Sequence, residues 1–229
     1  MCGRFTLRTP LTILAQQFLF DLGDLPRGFT LVPRANIAPT LMIAAVRQLA
    51  EGSPRELALL RWGLIPSWSR DSKGAAKLIN ARSETVAEKP SFRSAFARRR
   101  CLLLADGYCE WRKEGTRKVP YRFQRADGQP FAFAGLWEQW RVPPTDPLIS
   151  KTTLDASGDA QLESATIITT SANELSAPIH DRMPVILHRD QYDLWLNPAA
   201  TDQQRLLGML RPYPSDELVV EPIDSVPTP

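Results

Sequence analysis

Residues 101–137 read CLLLADGYCEWRKEGTRKVPYRFQRADGQPFAFAGLW, and their pattern decides the fold class. CLLLADGYCEW (101–111), VPYRFQ (119–124) and FAFAGLW (131–137) are short runs of branched and aromatic residues bounded by turn formers, so each reads as a strand. ADGQ (126–129) carries an Asp-Gly pair and predicts a hairpin between the last two runs. No helical periodicity separates the three, which argues against the βαβ alternation of a parallel sheet.

Working outward, comparable runs occur at TLMIAAV (40–46), ELALLRW (56–62), ATIITT (165–170), MPVILH (183–188) and LVVEPI (218–223). TPLTILAQQFLFDLG (9–23) shows a helical stripe instead, formed by Leu11, Leu14, Ala15, Phe18, Leu19 and Leu22. Thr9 is its expected N-cap, Pro10 its first residue, and Gly23 its end. Shorter helices are expected over SFRSAFARR (91–99), DQYDLWLN (190–197) and TDQQRLLGML (201–210). The expected class is α+β, with a mostly antiparallel, barrel-like β core and peripheral helices. No repeat or linker divides the chain, so one domain over 1–229 is expected, with a polar surface excursion at about 142–163 and an unstructured tail at 224–229.

No apolar run approaches the ~20 residues of a membrane span, and the N-terminus lacks a signal-peptide pattern. A cytoplasmic location without membrane contact is the expectation. Cys2, Cys101 and Cys109 are an odd count without a C-x-x-C pair, and with His180 and His188 they match no zinc-module spacing, so no metal is expected. Cys101, in CLLLA, reads as core. Residues 1–125 carry 22 Lys/Arg against 10 Asp/Glu, and the remainder 6 against 15. That asymmetry suits a polyanionic partner for the N-terminal half, although the 22 arginines among 28 basic residues also fit a GC-rich coding sequence.

Polar residues in apolar surroundings mark where chemistry is to be sought. LINARSET sets Asn80, Arg82 and Glu84 at alternate positions, facing one way if the segment is extended. ADGYCEW puts Glu110 in an aromatic run, where a carboxylate either pairs or has its pKa raised. APIHDRMPVIL places His180, Asp181 and Arg182 at the mouth of a strand, as either site residues or a buried ionic corner. RWGLIPSWSR interleaves Trp62 and Trp68 with Arg61 and Arg70; Trp62 reads as core, and Trp68, between Ser67 and Ser69, as a candidate for base stacking. At the start, MCGRF sets Cys2 behind the initiator methionine, so that loss of Met1 would expose a thiol and an α-amine on neighbouring carbons.

Together, MCGRF, NIAPT, RWGLIPSW, LINARSET, ADGYCEW and APIHDRMPV resemble, in order and approximate spacing over residues 1 to about 188, the SOS response-associated peptidase (SRAP) family. The resemblance implies a compact α+β fold on a barrel-like core and covalent capture of abasic sites in single-stranded DNA. It further implies that Cys2 is the crosslinking residue, with Asn80, Glu110 and His180 catalytic. Arg4, Arg82 and Arg182 would contact phosphates or the opened sugar, Trp68 would wedge against the bases, and Asn36, Pro39 and Thr170 would line the pocket.

The chemistry needs these residue types. An open-chain abasic sugar is an aldehyde, and an α-amine with a pKa of about 7.7–8.0 is partly unprotonated at neutral pH and can form a Schiff base with it. The adjacent Cys2 thiol can close a thiazolidine ring. Glu110 would move the amine and carbinolamine protons, His180 would protonate the sugar ring oxygen, and Asn80 would orient amine and sugar. A Schiff base that fails to close could undergo β-elimination, a weak AP-lyase activity, and no step requires a cofactor. The partner that the resemblance implies is abasic single-stranded DNA, and a terminal site needs no second subunit, so a monomer is expected.

Three departures from the family pattern stand out: Cys109 where an aromatic usually precedes the glutamate, Ser69 where some members have a second aromatic, and a shortened C-terminus. The same residues could instead form a thiol peptidase or an N-terminal-nucleophile amidohydrolase on Cys2, or simply a DNA-binding module.

Overall fold

The computed structural model describes residues 2–25, 27–74, 77–155 and 157–227. The strands are β1 (Arg4–Leu7), β2 (Arg34–Ile37), β3 (Met42–Arg47), β4 (Glu56–Trp62), β5 (Asn80–Arg82), β6 (Arg100–Ala105), β7 (Gly107–Glu114), β8 (Arg117–Arg125), β9 (Phe131–Arg141), β10 (Thr153–Leu154), β11 (Ala160–Ser171), β12 (Arg182–Pro184), β13 (Ile186–Leu187) and β14 (Leu218–Pro222). Short helices α1 (Leu11–Phe18), α2 (Arg93–Arg98), α3 (Tyr192–Leu196) and α4 (Gln203–Gly208) accompany them.

One sheet closes on itself: β11 pairs with β4, β4 with β3, β3 with β6, β6 with β9, and β9 returns to β11. Closure leaves the five barrel strands without a free edge over their paired lengths. Pairing is antiparallel except where β11 meets β4 and β5. The second sheet runs β14-β8-β7-β1-β2. Aromatic rings join the two sheets: Phe5 of β1 meets Trp62 of β4 at 5.1 Å and Phe133 of β9 at 5.7 Å, both edge-on. The expected α+β class with a barrel-like core is what the chain forms.

Several local expectations need correction. The run 101–111 is not one strand. Asp106 divides it, accepting hydrogen bonds from Thr6 Oγ1 (2.5 Å) and from the amides of Arg8 (2.5 Å) and Thr9 (2.9 Å), and β6 and β7 on either side of it lie in different sheets. Nor does ADGQ make a hairpin. Gly128, at φ +70°, completes a turn with Arg125, but β8 then pairs with β7 and β14 while β9 enters the barrel. The turn is where the chain changes sheets, a use of Asp-Gly that turn chemistry alone does not distinguish from a hairpin.

Helix α1 starts after Pro10, because the Thr9 hydroxyl is engaged by Asp106 (3.1 Å) and caps nothing. It ends at Phe18, with Leu19 left-handed at φ 58°, so Leu19 and Leu22 leave the buried stripe and stand exposed. MPVILH splits into β12 and β13, with the Val185 amide bonded to the Ile168 carbonyl between them. The excursion at 142–163 is partly structured: it contains a 3-10 turn at Pro147–Lys151 and β10, and β11 already begins at Ala160. In the tail, Pro227 is held by the Asn36 side chain.

Candidate active site

Cys2 stands two residues ahead of β1, and β1 runs antiparallel to β7 with Arg4 opposite Cys109. This register brings the start of the chain beside Glu110. Cys2 is 0% and Glu110 4% exposed. Burial and the Glu110 carboxylate push the Cys2 thiol well above its ordinary value. Burial likewise raises Glu110, and nearby His180 pulls it the other way. Tyr108, two residues earlier on the same face of β7, is buried within electrostatic reach of Cys2 and Glu110; its hydroxyl lies 3.5 Å from Ser176 Oγ.

Asn80 closes the other side. Its Nδ2 donates to the Cys2 carbonyl at 2.9 Å, and its Oδ1 is buried without a hydrogen-bond partner among the described residues. β5 is held in parallel against β11, with Ile167 opposite Asn80 and Thr169 opposite Arg82. The strand stops there. The Ser83 amide bonds to the Thr169 carbonyl, the Thr85 amide turns back to Arg82, and Glu84 therefore departs from the alternation expected for an extended segment. Arg82 is exposed and Arg4 half-buried, and neither forms an ion pair among the described residues.

His180 lies at the end of the turn that joins β11 to β12. Its Nδ1 is 3.0 Å from the Arg182 amide, which donates to it, and 3.0 Å from Asp181 Oδ1. One nitrogen cannot serve both at once. A ring with Nδ1 bare accepts the amide, whereas a ring with its hydrogen on Nδ1 donates to Asp181. The Arg182 guanidinium makes a fork onto Glu84 at 2.5 and 2.9 Å and donates to the Thr169 carbonyl at 2.7 Å. The residue expected to reach DNA is thus already anchored, and the pairing holds Glu84 below the usual carboxylate range.

Trp62 is fully buried, its Nε1 donating to the Ile79 carbonyl at 2.9 Å, while Trp68 is 65% exposed. Asn36 is buried on β2 with its Nδ2 donating to the Pro227 carbonyl, and its Oδ1 lacks a hydrogen-bond partner among the described residues. Pro39 is half-buried in the β2–β3 turn, next to Thr40 at a left-handed φ of 75°. Thr170 is buried on β11 opposite Met183. Cys109 alternates away from Glu110 and lines a separate pocket of about 180 Å³ with Thr6, Arg122 and Pro227; burial pushes its thiol up to about 11. Met1, whose removal the chemistry requires, lies outside the described residues.

Tyr108, Ser176 and the Glu84–Arg182 pair were not anticipated. Two-residue alternation within ADGYCEW carries a signal for Tyr108, but nothing local marks Ser176, 68 residues away. Among the described residues no three His, Cys, Asp or Glu gather as metal ligands, and no helix is long and apolar enough to cross a membrane.

The chain is similar to the abasic site processing protein YoqW of Bacillus subtilis, at 41% identity over 227 residues, covering 99% of this chain and 93% of that one. It is also similar to the abasic site processing protein HMCES of Xenopus tropicalis, at 31% identity over 216 residues, covering 85% of this chain and 60% of that one. Among solved structures, a protein from Bacteroides thetaiotaomicron superposes with a TM-score of 0.76 at 26% identity, covering 97% of this chain and 92% of that one. With these likenesses, and with the family model matching residues 1–226, the chain belongs to the SOS response associated peptidase (SRAP) family.

Proposed function

We propose that this chain acts in DNA damage processing by capturing abasic sites in single-stranded DNA, through a thiazolidine formed with the α-amine and thiol of Cys2 once Met1 is removed. The observation that carries the reading is the surrounding of Cys2: buried, held through its carbonyl by Asn80, and set against a buried Glu110 that His180 faces electrostatically. The names of relatives such as YoqW and HMCES support abasic DNA as the substrate.

In this reading the amine adds to the sugar aldehyde to give a carbinolamine. Loss of water, with Glu110 carrying the protons, gives the imine, and addition of the Cys2 sulfur to the imine carbon closes the ring. His180 protonates the sugar ring oxygen on opening, and the orphaned Asn80 Oδ1 accepts from the amine or a sugar hydroxyl. Arg4, Arg82 and Arg182, the last held in place by Glu84, meet phosphates or the opened sugar, Trp68 stacks on a base, and Asn36, Pro39 and Thr170 line the sugar pocket. Slow β-elimination from an unclosed imine is a side reaction. The chain works as a cytoplasmic monomer without a cofactor.

A thiol peptidase is the weaker alternative, because activated cysteines have a lowered pKa and this thiol is pushed the other way. An amine that reacts first needs no preformed thiolate. The test is incubation with an abasic single-stranded oligonucleotide, with intact mass establishing loss of Met1. Wild type is expected to give a heat-stable adduct, and Cys2→Ser, which keeps the amine but cannot close the same ring, to lose it. An adduct unchanged in Cys2→Ser sinks the thiazolidine, and acyl-substrate cleavage without any adduct favours the peptidase.

A further inference from the structure

The exposed Trp68 lies on the connection from β4 to β5, of which residues 63–74 and 77–79 are described. The neck of this loop is closed by the Leu64 amide on the Leu78 carbonyl at 3.1 Å. Its floor is a small apolar cluster separate from the main core, in which Ile65 packs with Trp140, Val142 and Leu162. Three side chains from outside the loop then hold its backbone. Ser164 Oγ accepts from the Ile65 amide at 2.9 Å, Trp140 Nε1 donates to the Ser69 carbonyl at 2.8 Å, and Asp146 accepts from both the amide and the hydroxyl of Ser72 at 2.9 Å.

Asp146 is 6% exposed, an unusual place for a carboxylate on an excursion that reads as polar surface. Burial opposes its charge, but the Leu148 and Ser72 amides, the Ser72 hydroxyl and Arg61 outweigh it and hold the carboxyl below the usual range. A charged, satisfied carboxylate therefore clamps Ser72 and Trp140 clamps Ser69, both after Trp68, while Ser164 holds Ile65 ahead of it. Between Ser69 and Ser72 lie exposed Arg70 and Asp71, and just beyond Ser72 exposed Lys73, so two cations stand near Trp68 with one carboxylate between them.

Resting on the abasic-site reading above, we infer that Asp146, together with Trp140, positions Trp68 for single-stranded DNA. It orders the loop before the DNA arrives, and so sets affinity while taking no part in the chemistry at Cys2. An aromatic ring on a loose irregular loop loses freedom on stacking, and a ring whose loop is already fixed does not.

The experiment is a double-mutant cycle between Asp146→Ala and Trp68→Ala, read by anisotropy on an undamaged single-stranded oligonucleotide and by the adduct-forming rate on an abasic one at saturation. Each single change is expected to weaken binding by about 10-fold, the scale of one lost stacking contact, and the double variant to bind no more weakly than Trp68→Ala alone. The saturated adduct rate of Asp146→Ala should stay within about twofold of wild type, since the Cys2 chemistry is intact. Ser72→Ala, which removes only the hydroxyl half of the clamp, should give a smaller loss in the same direction and serves if Asp146→Ala does not fold. Unchanged affinity, losses that multiply in the double variant, or a saturated rate that falls with affinity would each overturn the proposal. A wild-type chain that binds the undamaged strand but forms no adduct sinks the abasic-site reading and leaves the cycle to be judged on binding; one that binds neither sinks both.

Discussion

Glu110 illustrates what the site costs at the scale of single residues. Its pKa is raised in the folded chain, so the protonated form is favoured by folding. That contribution is fully present below the usual 4.5 and is lost as pH rises through the folded value. At neutral pH the ionised, buried carboxylate is therefore a net burden, and Glu110→Gln is expected to melt higher than wild type at about pH 8, the gap closing as pH falls to about 4.5. The same variant should form abasic-DNA adducts at least about 100-fold more slowly, as measured by single-turnover gel assays. A variant that loses both stability and activity would mean that Glu110 holds the site together and does not strain it. Cys2 and Glu110 were legible in the sequence because a thiol behind the initiator and a carboxylate in an aromatic run are each out of place. The commitment of Arg182 to Glu84 was not, since a pairing across 98 residues leaves no local mark.

Among the elements, the strand-forming runs are legible in the sequence, and where they break or end is not. Hydrophobic runs such as 56–62 fix a strand by their own composition, whereas the end of α1 depends on what the rest of the fold leaves exposed. Leu19 pays for that ending. It adopts φ 58° with 58% of the residue exposed, so it carries left-handed strain with little burial in return. Leu19→Gly is expected to raise stability by about 1 kcal/mol, seen as a melting temperature higher by about 2–4 °C. A lower melting temperature would show that the exposed leucine makes packing contacts worth more than the strain. The 142–163 segment is largely surface, as its polar composition implies, but that composition concealed Asp146 and Leu148, which turn inward to meet the Trp68 loop.

For the molecule as a whole, the barrel was legible as a class and its closure was not, because which strands meet across the ring is decided by packing. Gly135 shows how tight that packing is. A Cβ there would come within 2.6 Å of Leu103 Cγ and 2.9 Å of Cys101 Sγ, at the place where β9 lies against β6. Gly135→Ala is expected to destabilise the chain by about 1–3 kcal/mol, read from urea unfolding at an unchanged m-value; a neutral result would mean that the β6–β9 contact yields readily. The position of β1 has a mechanical consequence. It is paired on both sides, with β7 through Arg4, Phe5 and Thr6 and with β2 through Phe5 and Leu7. A DNA strand joined to Cys2 and drawn away along the axis of β1 would load those backbone bonds in shear, all together, and would not unzip them one by one. The attachment point would then also be a force-bearing anchor, suited to keeping hold of a strand that other machinery is pulling.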